Sequence, residues 1–279
     1  MAVVSFWGNS RRETGQTLSV VAIGTAMAIE HNYKILVIST GFRDRTMEDC
    51  FWDGNNKAVV NSIVGEKQPG INNGVEGLIK IIQSNRTSSN IIKDYAKVVF
   101  KDRLDILLSP ATEDPREYNS MTQYYKNIIK LADKEYDLVL IDIDKRMNSN
   151  DKTAILQESN AIMITLRQSV ESIETAKVLR ETNPAERNNN IIFLAGKYDY
   201  DSKYNTKNIT RYLKEPREIS AIPYNKLYDE AAMEGKVADF VLKYRGMPDI
   251  TDRNVKFIEE AKRTCENIIY KLQELQMRM

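Results

Sequence analysis

Ala2-Val3-Val4-Ser5-Phe6-Trp7, followed by Gly8-Asn9-Ser10-Arg11-Arg12-Glu13-Thr14-Gly15-Gln16-Thr17, decides how this chain is read. The first six residues form a short apolar run. From Leu18 to Glu30 the sequence continues with the apolar content of a buried helix. A strand, a tight loop and a helix in that order is the setting of the loop G-x-x-x-x-G-K-[ST], in which backbone N–H groups and a helix N-terminus hold phosphate oxygens. In that register Ser10 stands at the first Gly, Gly15 at the second, Gln16 at the Lys and Thr17 at the hydroxyl position. Gly15 and Thr17 keep the cradle and a hydroxyl suited to a magnesium ion. Gln16 offers a dipole where lysine offers a point charge. Arg11 and Arg12 are candidates to return positive charge, and Glu13 opposes them. Alone, these residues fit an ordinary surface loop equally well.

Working outward, apolar runs fall at Val3–Phe6, Ile35–Ile38, Leu104–Leu108, Leu138–Ile141, Ala161–Leu166, Ile191–Leu194 and Ile219–Ile222. Most are continuous instead of alternating, the mark of strands covered on both faces in a parallel sheet. Helical patterns at Leu18–Glu30, Tyr118–Lys134, Val170–Arg180 and from Asp252 to about Met277 fill intervals between them. The expected fold is α/β: a doubly wound, mostly parallel sheet of about seven strands with helices on both faces. No repeat or biased linker divides the chain, so residues 1–279 are expected to form a single domain ending in a helix over 252–277. Gly65–Asn90 is rich in Gly, Asn and Ser and reads as a surface excursion with one helical fragment, Val75–Gln83. The final helix places Ile258, Ala261, Cys265, Ile268, Ile269, Leu272 and Leu275 on one face, which predicts packing on the sheet.

Tyr136-Asp137-Leu138-Val139-Leu140-Ile141-Asp142 puts an aspartate at the carboxyl end of a buried strand. Ligands of open parallel sheets bind outside those ends. Asp142 is therefore placed to hold a magnesium-bound water together with Thr17. A cap on the following turn is the other reading of the same aspartate, and Asp144 is a second candidate.

Several functions are disfavoured by composition. Lys and Arg total 40 against 39 Asp and Glu, a net charge of +1, so there is no global attraction to nucleic acid or anionic lipid. Two cysteines, Cys50 and Cys265, give no disulfide framework, and one histidine, His31, leaves most His-based metal sites and Ser-His triads without ligands. No run reaches the roughly 18 consecutive apolar residues of a membrane span. MAVVSFWG has no signal-peptide pattern, so a cytoplasmic protein is expected, with a peripheral place at a membrane complex left open.

The chain resembles the ParA/MinD group of deviant-Walker P-loop ATPases. The resemblance runs through Ser10–Thr17, Lys34–Ser39, Tyr136–Asp142, Asn160–Thr165, Phe193–Asp199, Ala221–Asn225 and Asp229-Glu230-Ala231-Ala232-Met233-Glu234-Gly235-Lys236. It implies a Mg-ATP-binding homodimer that works with a protein partner to position cargo or machinery in a bacterial cell. It also implies site residues. The phosphate loop is Ser10, Arg11, Arg12, Glu13, Thr14, Gly15, Gln16, Thr17 and Leu18. Thr17 and Asp142 serve the metal. Arg11 stands where the family has its signature lysine, and Lys197, Tyr198, Pro223 and Tyr224 lie in the segments that pack the base. Arg11 and Asp142 are the catalytic candidates. Ser39 and Gly41 fall where the family has two aspartates, the second of which positions the attacking water, and Asp44 lies nearby out of register. With Gln16, Ser39 and Gly41 together, ATP hydrolysis is expected to be weak or absent, since losing one electrostatic stabiliser commonly costs on the order of a hundredfold in rate. The atypical loop is similar to that of TadZ/CpaE-like proteins, which help localise pilus-assembly machinery. Their additional receiver-like domain has no counterpart before the first strand here, and a conjugation or partition role fits as well.

Two other functions stay open at this point. One is a working ATPase in which Arg11 or Arg12 replaces the missing lysine. The other is a non-specific DNA-binding partition protein using Lys203, Lys207, Arg211, Lys214 and Arg217. Asp199, Asp201, Glu215 and Glu218 interleave with those cations, so DNA is not the favoured partner.

Overall fold

The computed structural model describes residues 1–8, 13–52, 74–84, 91–182 and 190–277. Ser10, Arg11 and Arg12 lie outside the described residues, as does much of the excursion expected within 65–90. In chain order the elements are β1 (Ala2–Trp7), α1 (Gln16–Glu30), β2 (Ile35–Ser39), α2 (Thr46–Asp49), α3 (Val75–Gln83), β3 (Lys97–Phe100) and β4 (Leu104–Leu107). They continue with α4 (Pro115–Thr122), α5 (Tyr125–Ala132), β5 (Leu138–Asp142), α6 (Ser149–Glu158), β6 (Ala161–Leu166), α7 (Val170–Glu181) and β7 (Ile191–Tyr198). The last are α8 (Thr206–Leu213), β8 (Ser220–Pro223), α9 (Lys226–Met233), α10 (Val237–Tyr244) and α11 (Arg253–Gln276).

The strands form one eight-stranded sheet in the order β3-β4-β2-β5-β1-β6-β7-β8. Every pairing is parallel except β3 with β4, which is antiparallel. All seven runs expected as strands are strands, and β3 adds an eighth at the edge. β1 sits between β5 and β6, with Phe6 opposite both Asp142 and Met163. The connections to β2 and to β6 leave on opposite sides of β1, so the loop after Trp7 opens at the point where the strand order reverses. That is where a crevice forms in a doubly wound sheet.

Two apolar layers cover the sheet. Val3 and Trp7 of β1 pack with Leu36, Ile38, Val139 and Ile141 against α3, α5, α6, α7 and α8. Val4 and Phe6 turn to the other face and pack with Val37, Leu140 and Met163 against α1, α9, α10 and α11. Ser5 shares the first face with Val3 and Trp7, where its hydroxyl bonds that of Ser159 (2.6 Å). The continuous apolar runs in the sequence have this two-sided burial as their cause.

The helix expected over Tyr118–Lys134 is two helices, α4 and α5. Thr122 Oγ1, Gln123 Nε2 and Ser120 Oγ donate to the carbonyls of Asn119, Ser120 and Glu117. Side-chain bonds of this kind compete with the helical ladder. Tyr124 N–H then bonds Met121 O, and Tyr124 becomes the residue before α5. Asp252 caps α11 by accepting from Asn254 and Val255 N–H.

Candidate functional site

Gly15 is the N-cap of α1 and has left-handed backbone geometry (φ 72°), which glycine adopts without steric cost. The first helical bond, Ser19 N–H to Gly15 O, is 2.9 Å. No side chain among the described residues caps this turn. The N–H groups at a helix start have no intrahelical acceptor, so the turn at Gln16, Thr17 and Leu18 presents donors and the positive end of the helix dipole. A cleft of about 240 Å³ lies over it, lined by Gly8, residues 13–18, Gly41, Asp44, Thr46, residues 142–146 and Lys197.

Gln16 does not point its amide into that cleft as an isolated donor. Its Nε2 donates to Asp142 Oδ1 (2.7 Å), the Ile143 carbonyl (3.0 Å) and the Phe6 carbonyl (3.2 Å). Its Oε1 accepts from Thr165 Oγ1 (2.7 Å). Chemistry fixes this orientation, because flipping the amide would set oxygen against three acceptors. Thr17 Oγ1 donates to Asp142 Oδ2 (2.7 Å). Both carboxylate oxygens of Asp142 are thus engaged from the start of α1. Asp142 is 7 % exposed. Burial raises its pKa to about 6, against the bonds from Gln16 and Thr17, while Asp44 and Asp144 add to the rise. Gln16 joins β1, β5 and β6 by neutral hydrogen bonds and leaves a carboxylate that no cation among the described residues contacts.

Asp144 lies in the same cleft and behaves differently. Burial acts to raise its pKa, but bonds from the Arg146 guanidinium and from the N–H groups of Arg146 and Phe42 outweigh that and hold it below the ordinary value. The guanidinium donates to both carboxylate oxygens (Nη2–Oδ2 2.6 Å), and the Phe42 N–H donates to Oδ2 (2.8 Å). This clamp fixes the segment after β2 to the turn after β5.

Gly41 opens to the cleft wall, and a Cβ there would lie 2.9 Å from Asp44 Cβ. Asp44 therefore folds back over Gly41 and lines the cleft, although its sequence position is out of register. Ser39 is buried and its Oγ accepts from Gly41 N–H (3.4 Å).

A smaller depression adjoins the cleft and is lined by Gly15, Leu18, Lys197, Pro223, Tyr224 and Tyr228, among others. Tyr228 Oη donates to the Leu18 carbonyl (2.8 Å), which ties α9 to the loop helix. Lys197, Pro223 and Tyr224 meet here, and Tyr224 is 56 % exposed. Tyr198 does not join them. It is 6 % exposed in the core, and its hydroxyl accepts from Thr206 N–H. Glu13 is exposed and pairs with Lys197, and the Thr14 hydroxyl donates to Thr165 Oγ1 (3.4 Å). Among the residues the sequence reading did not single out are Arg146, Tyr228, Thr165 and Gly196. Thr165 is a lone hydroxyl residue one position before the end of the apolar run Ala161–Leu166, and that polar interruption was the available signal. Gly196 has none of its own: a Cβ there would lie 2.1 Å from the Thr14 carbonyl, so its place is set by the approach of the loop to β7.

Thr17 Oγ1 and the Asp142 carboxylate form a pair of hard oxygen donors at the first helical turn, which suits a magnesium ion that also keeps waters and phosphate oxygens. No group of three or more His, Cys, Asp or Glu among the described residues makes an all-protein metal cage. The cleft wall holds Glu13, Asp44, Asp142 and Asp144 against Lys145, Arg146 and Lys197. The described wall is therefore not cationic, and the fit to an anion rests on the helix start and on whichever cations can leave their partners.

The fold is similar to that of solved ParA and MinD proteins. Among solved structures the chain is similar to a ParA family ATPase from Chlorobium tepidum (TM-score 0.64, 16% identity, 92% of this chain and 97% of that one). It is similar to the MinC:MinD cell division protein complex of Aquifex aeolicus (TM-score 0.62, 16% identity, 95% of each chain). A third likeness is to the septum site-determining protein MinD complexed with Mg-ADP from Pyrococcus horikoshii (TM-score 0.60, 16% identity, 97% and 98%). At these identities the likeness is one of fold. No protein-family model and no curated protein matches the sequence. No helix among the described residues is long and apolar enough to cross a membrane.

Proposed function

We propose that this chain is a ParA/MinD-like protein that binds Mg-nucleotide in the cleft over α1, hydrolyses it slowly or not at all, and acts as a homodimer with a protein partner in positioning or assembling a bacterial machinery. The observation that carries the reading is the wiring of Gln16. The position that would supply a phosphate-binding ammonium instead spends its donors on Asp142, Ile143 and Phe6. Transition-state charge stabilisation at that point is lost, while the helix start, Thr17 and Asp142 remain to hold nucleotide and metal. The Mg-ADP complex of a fold neighbour supports nucleotide as the ligand, and the MinC:MinD complex supports a protein partner. Pilus assembly, conjugation and partition are the machineries in question.

Calorimetric titration of Mg-ATP into the protein, with molar mass followed by light scattering, tests the reading. Saturable binding with a doubling of mass is expected. No heat at millimolar ATP would overturn nucleotide binding and leave the fold as an interaction scaffold.

A further inference from the structure

Lys197, the last residue but one of β7, lies in the left-handed region (φ 47°), one of few described non-glycine residues there. Its stem lies across the phosphate loop: Cγ is 2.7 Å and Cδ 3.5 Å from where a Cβ on Gly15 would stand. Gly196, immediately before it, lets the Thr14 carbonyl come within a distance that no side chain would allow. Strand end and loop are therefore locked together, and Lys197 is held over the loop by backbone geometry. Its residue lines both the large cleft and the smaller depression.

Its ammonium is 3.2 Å from Glu13 Oε2, and the Glu13 side chain is 86 % exposed. An ion pair that open to water holds its partners weakly. Arg146 is a poorer candidate for a mobile cation in the same cleft. It is bidentate on Asp144, whose side chain is only 5 % exposed, and pulling it away would strand a buried carboxylate. Lys145 lies on the turn after β5, across the cleft from the loop.

We propose that, among the described residues, Lys197 is the cation that meets the phosphate chain of the bound nucleotide, at the place of the lysine that Gln16 replaces, and that Glu13 holds its ammonium when no nucleotide is present. This rests on the nucleotide-binding reading above and adds the residue and the switch of partner. A lysine on a flexible stem is suited to that exchange, because its ammonium is a point charge that needs no fixed fork geometry.

The experiment titrates ADP, adenosine and tripolyphosphate, each with Mg²⁺, into the wild type and into Lys197→Gln, Lys197→Arg, Glu13→Gln and Lys145→Gln. ADP keeps turnover out of the readout, and a thermal melt of each variant establishes that it is folded. Lys197→Gln should weaken ADP by about tenfold or more while leaving adenosine unchanged. Lys197→Arg should recover most of the loss, and Glu13→Gln should tighten ADP. Unchanged ADP binding in folded Lys197→Gln overturns the proposal, as does an equal loss in Lys145→Gln, which would mean a diffuse field. If the wild type binds tripolyphosphate through Lys197 but not ADP, the lysine assignment stands and the nucleotide reading falls. If it binds neither, both fall.

Discussion

At the scale of single residues, Asp142 and Gln16 define the chemistry. A lysine beside a buried carboxylate would compensate its charge, whereas an amide does so only through hydrogen bonds. Asp142 consequently has a folded pKa of about 6, above the ordinary carboxyl value of 3.8. A folded pKa above the unfolded one means the folded state binds the proton more tightly. The associated stability is fully present below the unfolded value and is lost as pH rises through about 6. Asp142→Asn keeps the shape and removes the titration. Urea unfolding of the nucleotide-free protein should show wild-type stability falling between pH 4 and 6.5, on the order of 2–3 kcal/mol, and a flatter profile in the variant. Parallel profiles would mean that Asp142 titrates normally. The aspartate was legible because a charged residue closing an apolar strand is conspicuous. The destination of the Gln16 amide was not, because Phe6, Asp142 and Thr165 come from three strands whose adjacency is a property of the sheet order.

At the scale of elements, what could be read followed burial on both faces. Seven strands announce themselves as continuous apolar runs. β3 does not: it is short, Lys97 and Val98 are exposed, and it pairs on one side only, with β4. Short, lysine-bearing edge strands are how sheets avoid pairing with other chains, and the same features hide them from an apolar-run criterion. The break between α4 and α5 was hidden for another reason. Apolar spacing continues through it, while the interruption comes from back-bonding Ser, Thr and Gln side chains. In α11 the expected stripe is real but graded. Ile268 is fully buried, and Leu275 near the end is only partly covered. Ile268→Ala should therefore cost about 2–5 kcal/mol in denaturant unfolding, and Leu275→Ala about 1 kcal/mol or less. Equal losses would place the helix differently on the sheet. Phe51 and Trp52 are half-buried against the same apolar layer, with Lys97 Nζ over the Trp52 ring at 5.1 Å.

At the scale of the molecule, the order β5-β1-β6 puts the phosphate loop at the centre of an otherwise ordinary doubly wound sheet. The fold was legible from the apolar runs, and the candidate cleft lies where the loop after the first strand meets Asp142 at the end of another. Two base-segment residues illustrate the limit of that legibility. Tyr198 closes β7 and Tyr224 follows β8, yet Tyr198 turns into the core and Tyr224 stands open beside the cleft. The register between β7 and β8 shifts just before Tyr198, and such a shift leaves no mark in composition. The basic stretch after β7 is likewise broken up in space. Arg217 lies over the Tyr270 ring at 3.9 Å, Lys203 over that of Tyr204, and Glu215 pairs with Arg180. The cleft, on this reading, holds nucleotide and fails to turn it over. A single-turnover experiment with protein in excess over Mg-ATP, following bound nucleotide and released phosphate in one sample, tests it most directly. ATP should be recovered intact from the bound fraction after many dissociation times. Conversion to ADP and phosphate faster than dissociation would contradict the account and make this a working ATPase despite Gln16.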